Sequence, residues 1–209
     1  PTMQITLRSG QATAAPVAAL APAFTVGHAW WYQVALEQVM DSSVVTRGLT
    51  MPFGDAMIQV NKYGKRVMNE KLPYNERGPI HFLWDGNEYQ NLVLFSIFDD
   101  EVLDIPDTSM RRLPVPQRGE QVHYLITGNT FEELAIGIEQ HLEKVKAVTG
   151  GFKLAPNFVE NLKETVARFN GYAETGLDEE FGRGEDPISL TWSKPHRDKA
   201  KKTMAPFTE

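Results

Sequence analysis

Between Asn91 and Phe98 the chain runs NLVLFSIF, and this stretch limits its possible folds more than any other. Six of its eight residues are apolar, β-branched and aromatic among them, with no alternation to mark a wet face. A strand of that kind must be covered on both faces, so it belongs at the centre of a sheet. A second strand is legible upstream, where Ile58 and Val60 alternate with Gln59 and Asn61. Lys62-Tyr63-Gly64-Lys65 then places glycine where a tight turn needs positive φ. Arg66 to Glu70 is expected to run back as the second arm of a hairpin, and Pro73, which has no N–H, to end the ladder. Tyr74 follows at the strand exit, a place where sites are often built. Local pattern alone favours an ordinary surface hairpin with a packed tyrosine. Val122 to Ile126 reads as a short further strand.

Two helices are marked at both ends. Thr130 and Glu133 have capping-box spacing, Leu134, Ile138, Leu142 and Val145 form an apolar stripe, and Gly150-Gly151 ends the segment. Asn157 and Glu160 repeat the spacing, Phe158, Leu162, Val166 and Phe169 form the stripe, and Gly176 closes it. His28 to Met40 reads as an amphipathic helix with Trp31, Ala35 and Val39 on one face. Residues 1–27 carry few signals and are expected to form a loop with a short helix at most. Asn75 to Pro79 reads as a loop and Asp104 to Gly119 as an irregular connection. Strands precede helices, so the expected class is α+β: a small, mostly antiparallel sheet flanked by helices.

Composition removes several functions. A net charge of −6 argues against a phosphate-binding surface, so no nucleic-acid partner is expected, and the basic run Lys194 to Lys202 reads as solvated. The chain has no cysteine, which excludes disulfides, thiolate metal sites and cysteine nucleophiles. No apolar run reaches the length of a membrane span. Ala14 to Phe24 is interrupted by Pro16 and Pro22 and lacks a preceding basic region, so it is not read as a signal peptide, and a cytoplasmic location is expected. The chain starts at Pro1 and is expected to be processed, trimmed or a piece of something longer.

The motif survey is mostly negative. Gly182-Arg183-Gly184 lacks a third glycine, since Pro187 stands there, and no strand leads into it. There is no Walker loop, no His-Glu-x-x-His and no Gly-x-Ser-x-Gly. The five histidines are scattered; His141 reads as a helix-surface residue and His123 as structural. Asp99-Asp100-Glu101 and Asp178-Glu179-Glu180 read as solvated acidic clusters, and no metal is expected. In the triple Trp30-Trp31-Tyr32 the side chains of a helix would point three ways, so at least one is expected to face a pocket, a partner or solvent.

Four segments together resemble one family: IQVNKYGKRVMNEKLPY from Ile58 to Tyr74, the strand Leu92 to Asp100, TFEELA from Thr130 to Ala135, and TVARFNGYAETGLDEEFGRG from Thr165 to Gly184. In this order they are similar to the substrate, or cap, domain of FAD-dependent oxidoreductases of the fumarate reductase and 3-ketosteroid dehydrogenase superfamily. The resemblance covers residues 28–207; Val67 departs from it, standing where the family usually has phenylalanine. It implies that residues 1–27 lead in from an FAD-binding domain absent from this chain, that residues 28–207 form the cap, and that this FAD domain is the cap's partner. Tyr74 matches the position of a catalytic arginine in fumarate reductases and of a tyrosine in ketosteroid dehydrogenases. Leu49 to Phe53 also lacks the carboxylate-binding residues of the fumarate branch, and Arg77 is three residues out of register. The resemblance therefore favours a small apolar cyclic ketone over a diacid, with the fumarate-type enzyme and a non-catalytic binding module as alternatives. It implies Tyr74 as the proton acceptor in dehydrogenation beside a ketone, with Tyr32, Trp31 and Trp84 as candidate pocket walls. Asn69 and Glu70 are implied at the FAD side, fixing the hairpin, and Arg183 is expected to pair with a carboxylate such as Asp178.

Overall fold

The structure, a computed structural model, describes residues 3–10, 33–36, 54–105, 115–122, 124–187, 190 and 203–208, with the backbone alone for 3–10, Val34, Ala35 and Tyr74. Its class is α+β. The strands are β1 (Met3–Gly10), β2 (Gln33–Ala35), β3 (Met57–Val60), β4 (Trp84–Asp85), β5 (Glu88–Tyr89), β6 (Val93–Phe98) and β7 (Leu125–Gly128). The helices are α1 (Tyr74–Arg77), α2 (Phe131–Lys144), α3 (Lys146–Thr149) and α4 (Phe158–Thr175), with 3₁₀ turns at Gly78–Phe82 and Asp100–Asp104.

The apolar run is the hub, as its composition requires. β6 lies between β1 and β3, antiparallel to both. β7 and β2 share the other edge of β1, β7 pairing Met3–Thr6 and β2 pairing Arg8–Gly10, again antiparallel. All six residues of β6 are buried. Val93, Phe95 and Ile97 join Ile58 and Val60 in the main core against Leu134, Ile138, Phe158, Leu162 and Phe169 of α2 and α4. Phe95 meets Phe158 edge-on at 5.9 Å. Phe98 and Met57 face the other way and pack with Val102, Leu103 and Val115. Each such side chain contributes roughly 1.5–3 kcal/mol by leaving water.

The turn after β3 is built for the helix it touches. Gly64 has φ 74°, and a β-carbon there would stand 2.4 Å from the carbonyl oxygen of Phe158. Thr165 Oγ1 donates to Gly64 O at 2.8 Å and Asn161 Nδ2 to Tyr63 O at 2.8 Å, so α4 grips the turn from below.

Several expectations are corrected. Met3–Gly10 is a strand inside the sheet rather than part of a loose lead-in. Its alternation of Met3, Ile5 and Leu7 with Gln4, Thr6 and Arg8 was a strand signal in plain view. Gln33–Ala35 is a strand within the expected helix His28 to Met40, because the free edge of β1 offers it a ladder. Residues 11–32 and 37–53 lie outside the described residues, as do 106–114, His123 and the run Lys194 to Lys202. The hairpin has one strand: its return arm makes only the bridge Val60–Arg66, since the side chain of Glu70 takes the N–H of Gln59 at 3.2 Å. Asn75 to Pro79 is helical, spanning α1 and the start of the following 3₁₀ turn, and the strand expected at Val122 to Ile126 is Leu125–Gly128. Thr130 Oγ1 accepts from Glu133 N as expected, but Glu133 reaches back to Asn129 N, one residue earlier than a capping box places it. The first long helix breaks at Val145, while Gly150 still ends α3 and Gly176 ends α4, both left-handed. Asn157 makes no side-chain cap. His141 is buried, because it joins Leu134, Ile138 and Leu142 on the inner face of α2.

Candidate functional site

Two buried polar networks surround β3 and bring the distant segments of the sequence together. The first is ionic. Arg66 donates Nε and Nη2 to Glu70 at 2.9 and 3.0 Å, and Nη1 and Nη2 to Asp178 at 3.2 and 2.9 Å. Arg183 donates Nη1 to Glu70 at 3.2 Å and to Met57 O at 2.6 Å, and Nη2 to Asp55 O at 3.0 Å and Thr203 O at 2.5 Å. Lys71 donates to Gly54 O at 2.5 Å and stands 3.5 Å from Asp55. Arg66, Lys71 and Arg183 thus balance Asp55, Glu70 and Asp178, all buried. Such charges persist away from water only when paired and hydrogen-bonded. Burial alone would raise the Glu70 carboxyl, but Arg66 and Arg183 beside it outweigh this and hold it below the usual carboxylate range. Burial lowers Lys71 to about 8. Phe169 lies under both guanidinium groups, at 5.2 Å from Arg66 and 5.1 Å from Arg183.

These contacts revise three readings. Arg183 pairs with Glu70, and Arg66, not Arg183, is the side-chain partner of Asp178; the backbone N–H of Arg183 goes to Asp178 at 3.2 Å. Asp178 is interior, and Asp99 is buried too, accepting from the N–H and Oγ1 of Thr208 at 3.3 Å each. The expected solvation therefore fails at one residue of each cluster, while Glu101, Glu179 and Glu180 are exposed, and the described residues hold no group of three or more metal-ligating side chains.

The second network lies beside α1. Arg77 is fully buried and donates Nε to Leu72 O at 2.9 Å and Nη1 to Gln33 Oε1 at 2.7 Å. Gln33 Nε2 meets His81 Nε2 at 3.1 Å, and His81 Nδ1 meets Asn91 O at 2.5 Å. Asn61 Nδ2 donates to Asn91 Oδ1 at 3.1 Å, and Asn91 Nδ2 to Ile80 O at 3.0 Å. Burial, helped by the charge of Arg77, pushes His81 down to about 4. This has a sign. The unfolded imidazole takes its proton near 6.5 and the folded one near 4, so between those values the unfolded state binds more protons. The stabilisation is whole above pH 6.5 and lost as pH falls to about 4, a loss of about 3 kcal/mol. Urea denaturation at pH 7 and pH 4 should show that excess loss in the parent over His81→Gln; equal losses would contradict it.

Of the residues singled out from sequence, Tyr74 opens α1, directly after Pro73, with the buried Arg77 at the other end of the same turn. The Tyr74 side chain, Trp31 and Tyr32 lie outside the described residues. Trp84 is 58% exposed, packs edge-on against Tyr89 at 4.9 Å, and lines a cleft of about 400 Å³ with Lys62, Leu92 and Phe152. Phe82, Leu83, Trp84 and Tyr89 form the exposed apolar side of this excursion. Asn69 and Glu70 turn inward: Asn69 Oδ1 accepts from Lys71 N at 2.9 Å, and Glu70 is held as above. Gly182 and Gly184 flank the buried Arg183 in a turn. Sequence reading missed Gln33, His81 and Asn91; their only signal was polarity, which does not single them out.

Comparison with known proteins agrees with this frame. No family model matches the chain. It is 30% identical over 172 residues to 4-oxocyclohexanecarboxylate 2-dehydrogenase of Sinomonas cyclohexanicum, covering 78% of this chain and 26% of that protein. It is 30% identical over 146 residues to 3-oxosteroid 1-dehydrogenase of Mycolicibacterium smegmatis, covering 66% and 22% respectively. The crystal structure of 3-ketosteroid Δ1-dehydrogenase from Sterolibacterium denitrificans with 1,4-androstadiene-3,17-dione shares the fold at a TM-score of 0.51 and 21% identity, over 79% of this chain and 28% of that one. The chain thus spans about a quarter of the length of the curated relatives it matches. As a segment it is similar to the 3-oxosteroid and oxocyclohexanecarboxylate dehydrogenases.

Proposed function

We propose that this chain is the substrate-binding, or cap, part of an FAD-dependent dehydrogenase that desaturates a C–C bond beside a ring ketone. The observation that carries this reading is the place of Tyr74. It starts a short turn four residues along the chain from the buried Asn69-Glu70 pair, in a chain whose relatives are named as dehydrogenases of oxo-substituted rings. On this reading Tyr74 takes the proton from the carbon beside the ketone. FAD, held by polypeptide outside this chain, supplies the two-electron acceptor. The cap's own residues do the rest. The ionic network fixes the return arm, Trp84 and its exposed neighbours offer an apolar wall, and Trp31 and Tyr32 are proposed as further wall residues. The polypeptide's partner is then its own FAD domain, and an apolar cyclic ketone is favoured over a diacid.

The test uses the complete polypeptide with FAD and an artificial electron-accepting dye. It should reduce the dye with a 3-ketosteroid or a 4-oxocyclohexane substrate and not with succinate. Reduction with succinate alone, or with no ketone in such a panel, would discard the reading.

A further inference from the structure

Resting on the role given to Tyr74, we propose that Gln33, with His81 behind it, is a positioning residue for that tyrosine. It holds Arg77, and through Arg77 the backbone of α1, in one orientation against the sheet. A helix of four residues has no stability of its own, because nucleation costs more than its few hydrogen bonds return. The hold must come from side chains. In α1 Asn75 is half-buried and Glu76 exposed, whereas Arg77 is fully buried. One arm of Arg77 returns to Leu72 O just ahead of the helix, and the other crosses to Gln33 on β2, 44 residues away in sequence.

The direction of this run is fixed from its end. An arginine only donates. Gln33 Oε1 must therefore accept, which leaves Nε2 to donate to His81 Nε2. That ring nitrogen is then bare, so Nδ1 carries the proton and donates to Asn91 O. Turning the Gln33 amide over would set its N–H groups against the guanidinium. A single arrangement satisfies Arg77, Gln33, His81 and Asn91 together, and Asn61 ties Asn91 to the end of β3. The run is thus stiff, interior and anchored on two strands of the sheet. A displacement of about 1 Å at a reacting group can cost on the order of a hundredfold in rate, which is the scale of the role proposed for it.

The experiment compares the complete flavin-loaded polypeptide with Gln33→Leu and Gln33→Glu. Gln33→Leu removes both bonds at similar volume, while Gln33→Glu keeps an acceptor facing Arg77 and sets its second oxygen against His81 Nε2, where the imidazole takes a proton in order to donate. Hydrogen exchange is read on the peptide from Leu72 to Ile80, with α4 as the internal reference, and kcat and KM are measured alongside. In Gln33→Leu the turn should exchange at least tenfold faster with α4 unchanged, and kcat should fall about a hundredfold with KM within threefold. Gln33→Glu should bring both back to within about threefold of the parent. Unchanged exchange in the turn, a loosened turn with parental kcat, or equal loosening of α4 overturns the proposal. A parent that turns over no ketone removes the role of Tyr74 itself, and the positioning role with it, a result distinct from an active parent whose turn ignores Gln33.

Discussion

Replacing Tyr74 by phenylalanine should lower kcat of the complete polypeptide about a thousandfold while leaving KM within about threefold. A positioned acid–base group contributes roughly 10²–10⁴ in rate, and phenylalanine keeps the ring's volume while removing the oxygen that accepts the proton. Apolar contact with the substrate is made in ground state and transition state alike, so it should survive the change. The pH profile separates this from mere repacking. A phenol accepts a proton only as its phenolate, so the reaction needs the deprotonated form. The parent's kcat/KM should rise by about tenfold per pH unit on its alkaline approach, and the slope should vanish in Tyr74→Phe. Turnover of Tyr74→Phe within tenfold of the parent, with the slope retained, would remove Tyr74 from the chemistry.

The largest loss of stability should follow from Glu70→Gln. Glu70 is shared by Arg66 and Arg183 and also accepts the N–H of Gln59 at 3.2 Å. Neutralising it removes the carboxylate that the buried Arg66 and Arg183 share, and removing one member of a buried pair costs about 3–5 kcal/mol. Glu180 offers a control within the same cluster. It lies 3.7 Å from Arg66 but is 31% exposed at its side chain, so Glu180→Gln should cost less than about 1 kcal/mol. Urea denaturation at pH 7 checks both. A Glu70→Gln midpoint equal to that of Glu180→Gln would show that the network is not what joins these segments. The expected order matters for function as well. Arg66 to Lys71 carries the chain from the turn at Gly64 to the turn of Tyr74, so a loose network displaces the proposed base without touching it.

How much was legible beforehand follows from what each signal depends on. NLVLFSIF had to be a covered strand, since six of its eight residues are apolar with no polar alternation. The stripes of α2 and α4, their ending glycines and the turn at Gly64 were equally plain, because hydrophobic period and positive φ are local properties. The α+β class followed from their order. The motifs that carried the resemblance were readable as strings. What joins them was not: Arg66 finds Asp178 across 112 residues and Arg183 finds Glu70 across 113. Reading acidic clusters as solvated failed at Asp99 and Asp178 for the same reason, since a local run of charge carries no record of the cation or N–H that folding brings to it.

Gln33 shows the boundary most clearly. Its neighbours Trp31, Ala35 and Val39 keep a helical period, yet Gln33–Ala35 is a strand because the edge of β1 needed a ladder partner, and ladder pairing outweighs a weak local preference. By itself the sequence determined which segments must be buried, where the turns and helix ends fall, and which family the string resembles. Only the tertiary structure decided which polar groups meet in the interior, because a buried hydrogen bond is set by the partner's position in space, and residues 33, 77, 81 and 91 share no periodicity along the chain.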